Sequence, residues 1–467
     1  MLFNSIEFFL FFPVVLVLYF LLPLSGRTWL LLAASLYFYM QWEPVYVVLL
    51  LVVCLVNFYA GRRICRSRAD GQRRGWLVAA LCVNLGILCA FKYYNFFLDT
   101  LGMMGAAPSF LPQSRLLLPL GVSFYTFHSL TYTIDVYRRK IPEELSLPDF
   151  ALFVTFFPQL VAGPIVRAAD MLPQYKVLHR FEWDNIVTGG QRVLTGFIKK
   201  TVIADNLCLI VNPVYNSPAE HSWLMLLIAT YAFAFQIVCD FGGYSDMAIG
   251  LAKMMGIRLM ENFETPYISR SIQEFWRRWH ISLSTWLRDY LYISLGGNRH
   301  GAWKTYRNLI VTMLLGGLWH GASFNFVIWG GIHGVWLAAE RLWTRGVTEA
   351  KGGTATKEHG LFSIVGILKM VFVFHGVCLA WVFFRAPTLS AALSVIGRIL
   401  SGAEGVQLGV YNVFNAFMIL GLGGFYCLLA ELGDRRSRRV WWMTSIFGIL
   451  LITLFGRSSN EFIYFVF

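Results

Sequence analysis

Charge is scarce in this chain. Asp, Glu, Lys and Arg make up 14% of its 467 residues, well short of the roughly 25% usual in soluble domains. Polar segments long enough to fold by themselves are absent, so the length does not imply several globular units. The eight cysteines lie scattered, mostly inside apolar runs, and no two stand at CxxC spacing. They read as small core residues, not as a disulfide frame or a metal site. Familiar catalytic signatures are missing too. There is no HExxH, no P-loop and no GxGxxG, and Gly243-Tyr244-Ser245-Asp246-Met247 lacks the second glycine of a serine nucleophile elbow. The opening MLFNSIEFF has neither the positive stretch nor the cleavage site of a secretory signal, and is expected to begin the first transmembrane helix. Internal repeats and long low-complexity tracts are also wanting.

What is present is apolar: 57% of the residues, with 16% aromatic. At roughly 20 apolar residues per crossing, runs at 5–23, 28–41, 45–60, 76–96, 116–136, 190–212, 222–251, 308–340, 362–384, 411–430 and 441–457 predict about eleven transmembrane helices in one integral membrane domain, 1–467, of all-α class. The net charge of +13 (39 Lys and Arg minus 26 Asp and Glu) falls in short loops, where it sets topology and argues against a nucleic-acid partner. Arg62, Arg63, Arg66, Arg68, Arg73 and Arg74 against Asp70 should mark a cytoplasmic loop. Parity then places Arg138, Arg139 and Lys140 inside as well, and both termini outside. The Phe150–Val166 stretch, with Pro158, Gly163 and Pro164, should enter and return without crossing. Both flanks of 308–340 come out cytoplasmic. As one helix its 33 residues would reach about 50 Å, too long for a hydrocarbon core of about 30 Å. Gly316, Gly317, Gly321, Gly330 and Gly331 offer places to break it into a re-entrant pair with His320 near the tip. An extra crossing at 281–296 is the alternative. Val347–Gly360, polar and rich in Gly and Thr, is expected to be a flexible loop.

The stretch from Ser271 to His333 concentrates polar groups that are costly in a membrane. From Gln273 to Tyr290 the period predicts one helix: Phe275, Trp279, Leu283, Trp286 and Tyr290 fall within roughly 80° of arc, with Gln273, Arg277, His280, Ser284 and Arg288 opposite. Such a helix could simply lie at the membrane interface. A histidine and a serine among the arginines suit a donor-lined cavity wall better, with Arg277 and Arg288 able to hold an anionic ligand's phosphates beside Gln273 and Trp279.

Of nine histidines, His179, His221, His300 and His359 lie in polar loops and should be solvated, while His128 and His375 sit in apolar runs where a hydrogen-bonded structural role is the ordinary case. His280, His320 and His333 remain. An ionisable group at bilayer depth costs several kcal/mol unless paired or hydrated, so it raises a functional hypothesis. His320 stands in GGLWHGAS, among glycines that let other groups approach; His333 could equally bridge helices. A three-histidine metal site lacks a convergent carboxylate or thiolate. A base without a protein nucleophile survives: a neutral histidine taking the proton of a hydroxyl as it attacks an activated carbonyl. The developing oxyanion would then need donors, for which the Trp319 indole or the polar stripe that includes Ser284 are candidates; Asn325 is a possible supporting residue.

The runs LPLGVSFYTFHSLTYTIDVYR (Leu118 to Arg138), FFPQLVAGPIVR (Phe156 to Arg167), GFIKKTVIADNL (Gly196 to Leu207), the whole of Asp240 to Arg299 and MLLGGLWHGA (Met313 to Ala322) together resemble the membrane-bound O-acyltransferases (the MBOAT family), in particular the bacterial branch of alginate O-acetylation. The resemblance covers nearly the whole chain. It implies that His320 is the essential histidine, His280 the second motif position and His333 a further histidine of the branch. It also implies acetyl-CoA from the cytosol as acyl donor, no bound cofactor, and a passage joining the two membrane faces. Periplasmic or membrane-anchored SGNH-type partners would complete O-acetylation of alginate, cellulose or peptidoglycan at the bacterial inner membrane. Two rival readings carry no chemistry: a transporter or channel for an acetyl carrier or polymer, and a scaffold that docks the periplasmic enzyme.

Overall fold

Backbone polar groups in lipid must be satisfied within their own segment, which favours helices. In the computed structural model, which describes residues 1–105, 117–141, 145–350, 363–407, 409–433, 438–457 and 462–463, every regular element is a helix; a single isolated bridge links His221 and Val406. Tyr46–Arg66, Asp70–Met103, Trp223–Met254, Ile364–Arg385 and Asn412–Glu431 are long and apolar enough to cross a bilayer. Ile6–Leu21, Leu389–Ser401 and Trp442–Phe455 are apolar but shorter. Every one of the eleven predicted runs contains a helix, yet among the described residues five meet the length of a full span, because several runs are broken. Run 190–212 is Trp183–Phe197, a π-helical turn at Ile198–Ala204 and Asp205–Asn216. Run 116–136 becomes helical only at Val122, after Gly121 at φ 73°.

Trp223–Met254, 32 residues and about 48 Å long, is the central post. Ser222 caps it by accepting from the Met225 amide. Trp183–Phe197 packs along it. The two backbones meet at Gly196 and Gly243, where a Cβ on Gly196 would lie 2.5 Å from the Gly243 carbonyl oxygen. Ionic pairs lock this contact: Asp246 accepts from Arg192 and from Lys199, each at 2.6 Å. Lys200, fully buried on the π turn, bonds Asp240 at 2.6 Å and Asp205 at 3.0 Å. The cost of burying such charges is met only by this close pairing. Ser245, rejected as a nucleophile, is buried here and accepts from Asn262 Nδ2 at 3.1 Å.

The 308–340 stretch is a helical hairpin, as its length required: Ala302–His320, a break at 321–323, then Phe324–Ala350. Gly321 alone of the five proposed glycines lies at the break. Gly317 and Gly330 stay helical and serve close approach, since a Cβ on Gly317 would stand 2.1 Å from the Phe326 carbonyl oxygen. The base of the hairpin lies at the basic end of the molecule. There Asn308 donates to the Leu295 and Gly297 carbonyls at 3.1 and 3.0 Å, Arg138 to Ser294 Oγ at 2.9 Å, and Arg73 to the Tyr137 carbonyl at 2.8 Å. Its tip reaches toward the opposite end, where Tyr39 and Tyr46 donate to the Leu120 and Leu117 carbonyls at 2.9 and 2.6 Å.

Several expectations are corrected. The predicted helix 273–290 is two: Ile272–Arg278 ends at Trp279, and Ile281–Trp286 restarts after His280. Its continuation, a π turn at Leu287–Tyr292, makes 281–296 too short for a crossing. Helical period alone could not show that His280 takes a left-handed backbone at φ 42°, ψ 54°. Phe150–Val166 is broken as its prolines required, a helix to Thr155 followed by a single turn Phe157–Leu160, and is buried within the protein. Val347–Ala350 extends the hairpin's second helix and is no loop; the rest of that loop, with His359, lies outside the described residues. Of the cysteines, Cys82 and Cys89 are exposed, not core. His221 is buried against the Val406 carbonyl, which its polar neighbours did not suggest.

Candidate active site

His320 is the last residue of its helix and is 4% exposed. A helix end leaves carbonyls without partners. Here they are met by a π-helical turn at Cys89–Tyr93 on the long helix Asp70–Met103. Lys92 Nζ donates to the Trp319 carbonyl at 2.7 Å and the His320 carbonyl at 3.1 Å, and Tyr93 OH donates to the Leu318 carbonyl at 2.9 Å. A cation at a helix C-terminus is favoured by the helix dipole. The ammonium also reaches Ser123 Oγ at 3.3 Å and lies 6.0 Å from the Trp319 ring. Lys92, Ser123, Trp319 and His320 line one pocket, with Trp42 and the 118–122 loop at its rim.

His280, fully buried, comes from the break between the two short helices. The Ser271–Glu274 capping box, with Ser271 accepting from the Glu274 amide at 3.0 Å and Glu274 from the Arg270 amide at 2.9 Å, starts the first of them. Glu340 of the hairpin adds acceptors for the Ile272 and Gln273 amides at 2.8 and 3.4 Å. The chain then turns so that Ile281 N bonds the Asn262 carbonyl at 2.9 Å, and the His280 ring points inward onto Asn262 Oδ1, 3.0 Å from Nδ1.

The two rings are brought together, centroids 6.3 Å apart. Trp319 borders both, at 5.0 Å from His320 and 6.1 Å from His280. Its indole N–H is buried and has no acceptor among the described residues. Trp329 and Phe384 close over His320 at 5.1 and 5.3 Å. His333 stands behind Trp329 at 4.9 Å and beside Trp276 at 5.2 Å, fully buried, and neither of its ring nitrogens has a hydrogen-bond partner among the described residues. Such a shell leaves polar groups few, which strengthens each remaining electrostatic contact.

The other predicted residues stand apart from this pair. Ser284 Oγ is engaged by the Trp279 carbonyl at 3.0 Å, and Asn325 Nδ2 by the Ala386 carbonyl at 2.8 Å. Trp279 is buried against Trp381 at 4.9 Å. Gln273, Arg277 and Arg288 are exposed, so the polar stripe that joined them to His280 does not exist; Arg288 pairs with Asp289 at 2.7 Å. Among the described residues no group of three or more His, Cys, Asp or Glu side chains could hold a metal. Lys92, Tyr93 and Asn262 were missed. Lys92 had a signal, a lone cation inside run 76–96 that invites the same question as a buried histidine; Asn262, in a polar connection, had none.

Fold and site together define a polytopic helical membrane protein with a buried imidazole pair. The chain belongs to the membrane-bound O-acyltransferase family, whose model matches residues 72–351. It is 47% identical over 452 residues to the probable alginate O-acetylase AlgI of Pseudomonas aeruginosa, covering 91% of this chain and 82% of that protein. A second probable alginate O-acetylase, from Azotobacter vinelandii, is 45% identical over 448 residues, covering 92% of this chain and 85% of the relative. The peptidoglycan O-acetyltransferase of Helicobacter pylori is 37% identical over 528 residues, covering 100% of this chain and 98% of that protein.

Proposed function

We propose that this chain is the membrane acetyltransferase of a polysaccharide O-acetylation system. It takes acetyl from acetyl-CoA on the cytoplasmic face and hands it across the inner membrane to a periplasmic or membrane-anchored SGNH-type partner. That partner then acetylates an exported polymer, alginate and peptidoglycan being the acceptors named for its relatives. The observation that carries the reading is the His280–His320 pair, 6.3 Å apart in a shell of aromatic side chains, with His320 lining the pocket at Lys92. His320 serves as general base toward the acceptor hydroxyl, His280 faces the thioester, and the Trp319 indole offers a donor to the oxyanion. In this orientation the basic end is cytoplasmic, the Lys92 pocket opens outward, and both termini are periplasmic. The phosphates of CoA are assigned to the guanidiniums of Arg277 and Arg288, which are exposed at the surface and stand apart from the pair, with Gln273 beside them.

The test is CoA release by purified protein in lipid nanodiscs supplied with labelled acetyl-CoA and acceptor. His320→Ala is expected to lower turnover by about a hundredfold or more at unchanged abundance. Wild-type turnover in that variant sinks the reading, and acceptor passage without any free CoA favours a transporter.

A further inference from the structure

His280 could hold its proton on either ring nitrogen, and only one choice leaves a lone pair on Nε2. Asn262 decides it. Three groups converge on Asn262 Oδ1: His280 Nδ1 at 3.0 Å, Ser282 Oγ at 2.9 Å and the Ser282 backbone N–H at 3.3 Å. The backbone N–H can only donate, so it fixes the amide with oxygen on this side; the flipped amide would set two donors against each other. The other side of the amide agrees, since Nδ2 there donates to Ser245 Oγ at 3.1 Å on the central helix. With Oδ1 as acceptor, His280 Nδ1 must carry the hydrogen. The neutral ring then presents Nε2 as an acceptor. The main chain holds the arrangement too, because Ile281 N bonds the Asn262 carbonyl and His280 keeps its left-handed backbone.

We infer that Asn262, seated on Ser245, is a positioning residue that fixes the Nδ1–H tautomer of His280 and so keeps Nε2 available to accept a proton or a donor from the reacting groups. The inference rests on the proposed acetyl transfer at the histidine pair. It gives His280 a definite chemical form there, an acceptor and not a hydrogen-bond donor. Among the described residues His320 is a titratable group that faces His280 across the site, with Lys92 behind it, and Phe241, Phe263 and Trp319, which also border the ring, carry no charge.

The experiment compares Asn262→Ala, Asn262→Asp and His280→Ala for acetyl transfer between pH 5 and 9 in nanodiscs. Asn262→Ala frees the ring to adopt the other tautomer and is expected to lower kcat about a hundredfold with KM for acetyl-CoA within about threefold. Asn262→Asp keeps the acceptor for Nδ1–H, so it retains kcat within about tenfold at high pH. Its carboxylate also favours the protonated ring, which moves the acid limb of the profile upward by about one pH unit. A residue that merely packs would not move that limb. Where Asn262→Ala does not accumulate, Asn262→Asp carries the test. Wild-type kcat in Asn262→Ala, or a profile for Asn262→Asp that superimposes on wild type, overturns the inference if His280→Ala is inactive. Full activity in His280→Ala overturns the underlying reading instead.

Discussion

Replacing Lys92 by Met keeps the aliphatic stem and removes the ammonium that closes the His320 helix. Two carbonyls, those of Trp319 and His320, then lose donors at 2.7 and 3.1 Å. A hydrogen bond to a charged group contributes about 1.5–3 kcal/mol, and an unsatisfied buried acceptor costs about 1–3 kcal/mol. Lys92 is only half-buried and borders a pocket, so water can replace part of the loss. A net destabilisation of about 1–3 kcal/mol follows, not the sum of both bonds. The effect on transfer should be larger in proportion, because His320 is the residue whose carbonyl is released. A displacement of about 1 Å can cost about a hundredfold in rate, so kcat is expected to fall about 10- to 100-fold. Tyr93→Phe is the internal standard: it removes one neutral bond to Leu318 at 2.9 Å, costs about 0.5–1.5 kcal/mol, and leaves kcat within about threefold. Both variants are read by CoA release and by the thermal midpoint in detergent. The reasoning fails if Lys92→Met turns over within twofold of wild type, or if it is no worse than Tyr93→Phe.

Two further outcomes check the frame around the site. Neighbouring glycines on Trp183–Phe197 should answer oppositely to alanine. At Gly189 a Cβ would stand 2.7 Å from the Gly250 carbonyl oxygen, so Gly189→Ala should destabilise by about 1–3 kcal/mol, whereas Gly190 has nothing within 4 Å and Gly190→Ala should be neutral or gain about 0.5–1 kcal/mol. Equal thermal midpoints would refute the close helix contact. Glu274, on the short helix outside the spans, is affected first by burial, which raises its pKa; the Arg270 amide and the Arg270 and Arg278 guanidiniums outweigh this and hold it below the usual range. Its contribution is therefore present above the unfolded-state value of about 4.3 and lost as pH falls through the lower folded value. Glu274→Gln should lower the thermal midpoint at pH 7 and match wild type once the carboxylate of the wild type is protonated; a difference that persists there contradicts the assignment.

What could be read from the sequence divides by the range of the interactions involved. The helical hairpin was legible because length and glycine content are local, and His320 at its tip followed from them. The aromatic side of 273–290 was legible for the same reason: Phe275, Trp279, Leu283, Trp286 and Tyr290 are all buried. The reading failed at His280, where the backbone leaves the helical region because Asn262, some 20 residues earlier, captures the Ile281 and Ser282 amides. A periodic pattern carries no information about such a long-range capture. Lys199, Lys200, Asp205, Asp240 and Asp246 show the same limit. The pairing of the buried Lys200, Asp205, Asp240 and Asp246, and of the half-buried Lys199, was hidden because a charged residue in an apolar run is readable as costly, but its counter-ion on another helix is not.

Those long-range ties also anchor the two histidines separately, and this separation can be measured. His320 is held through its carbonyl by Lys92, from the helix that begins at the basic loop; His280 is held through its ring by Asn262 and thence by Ser245 of the central helix. Lys92 bonds Ser123, Trp319 and His320, whereas Asn262 bonds Ser245, His280 and Ser282, so among the described residues these two anchoring side chains have no partner in common. In Lys92→Met combined with Asn262→Ala, the losses in unfolding stability should therefore add to within about 0.5 kcal/mol. Turnover should behave differently. If both anchors serve one reacting assembly, disabling the first already removes most of what the second can remove, as in sites whose residues act as a unit. The double variant should then be only about threefold slower than the slower single variant, far from the product of the two losses. Rate losses that multiply in full would mean that the histidines contribute to independent steps, and the paired geometry at 6.3 Å would then have to be read as two sites in one shell.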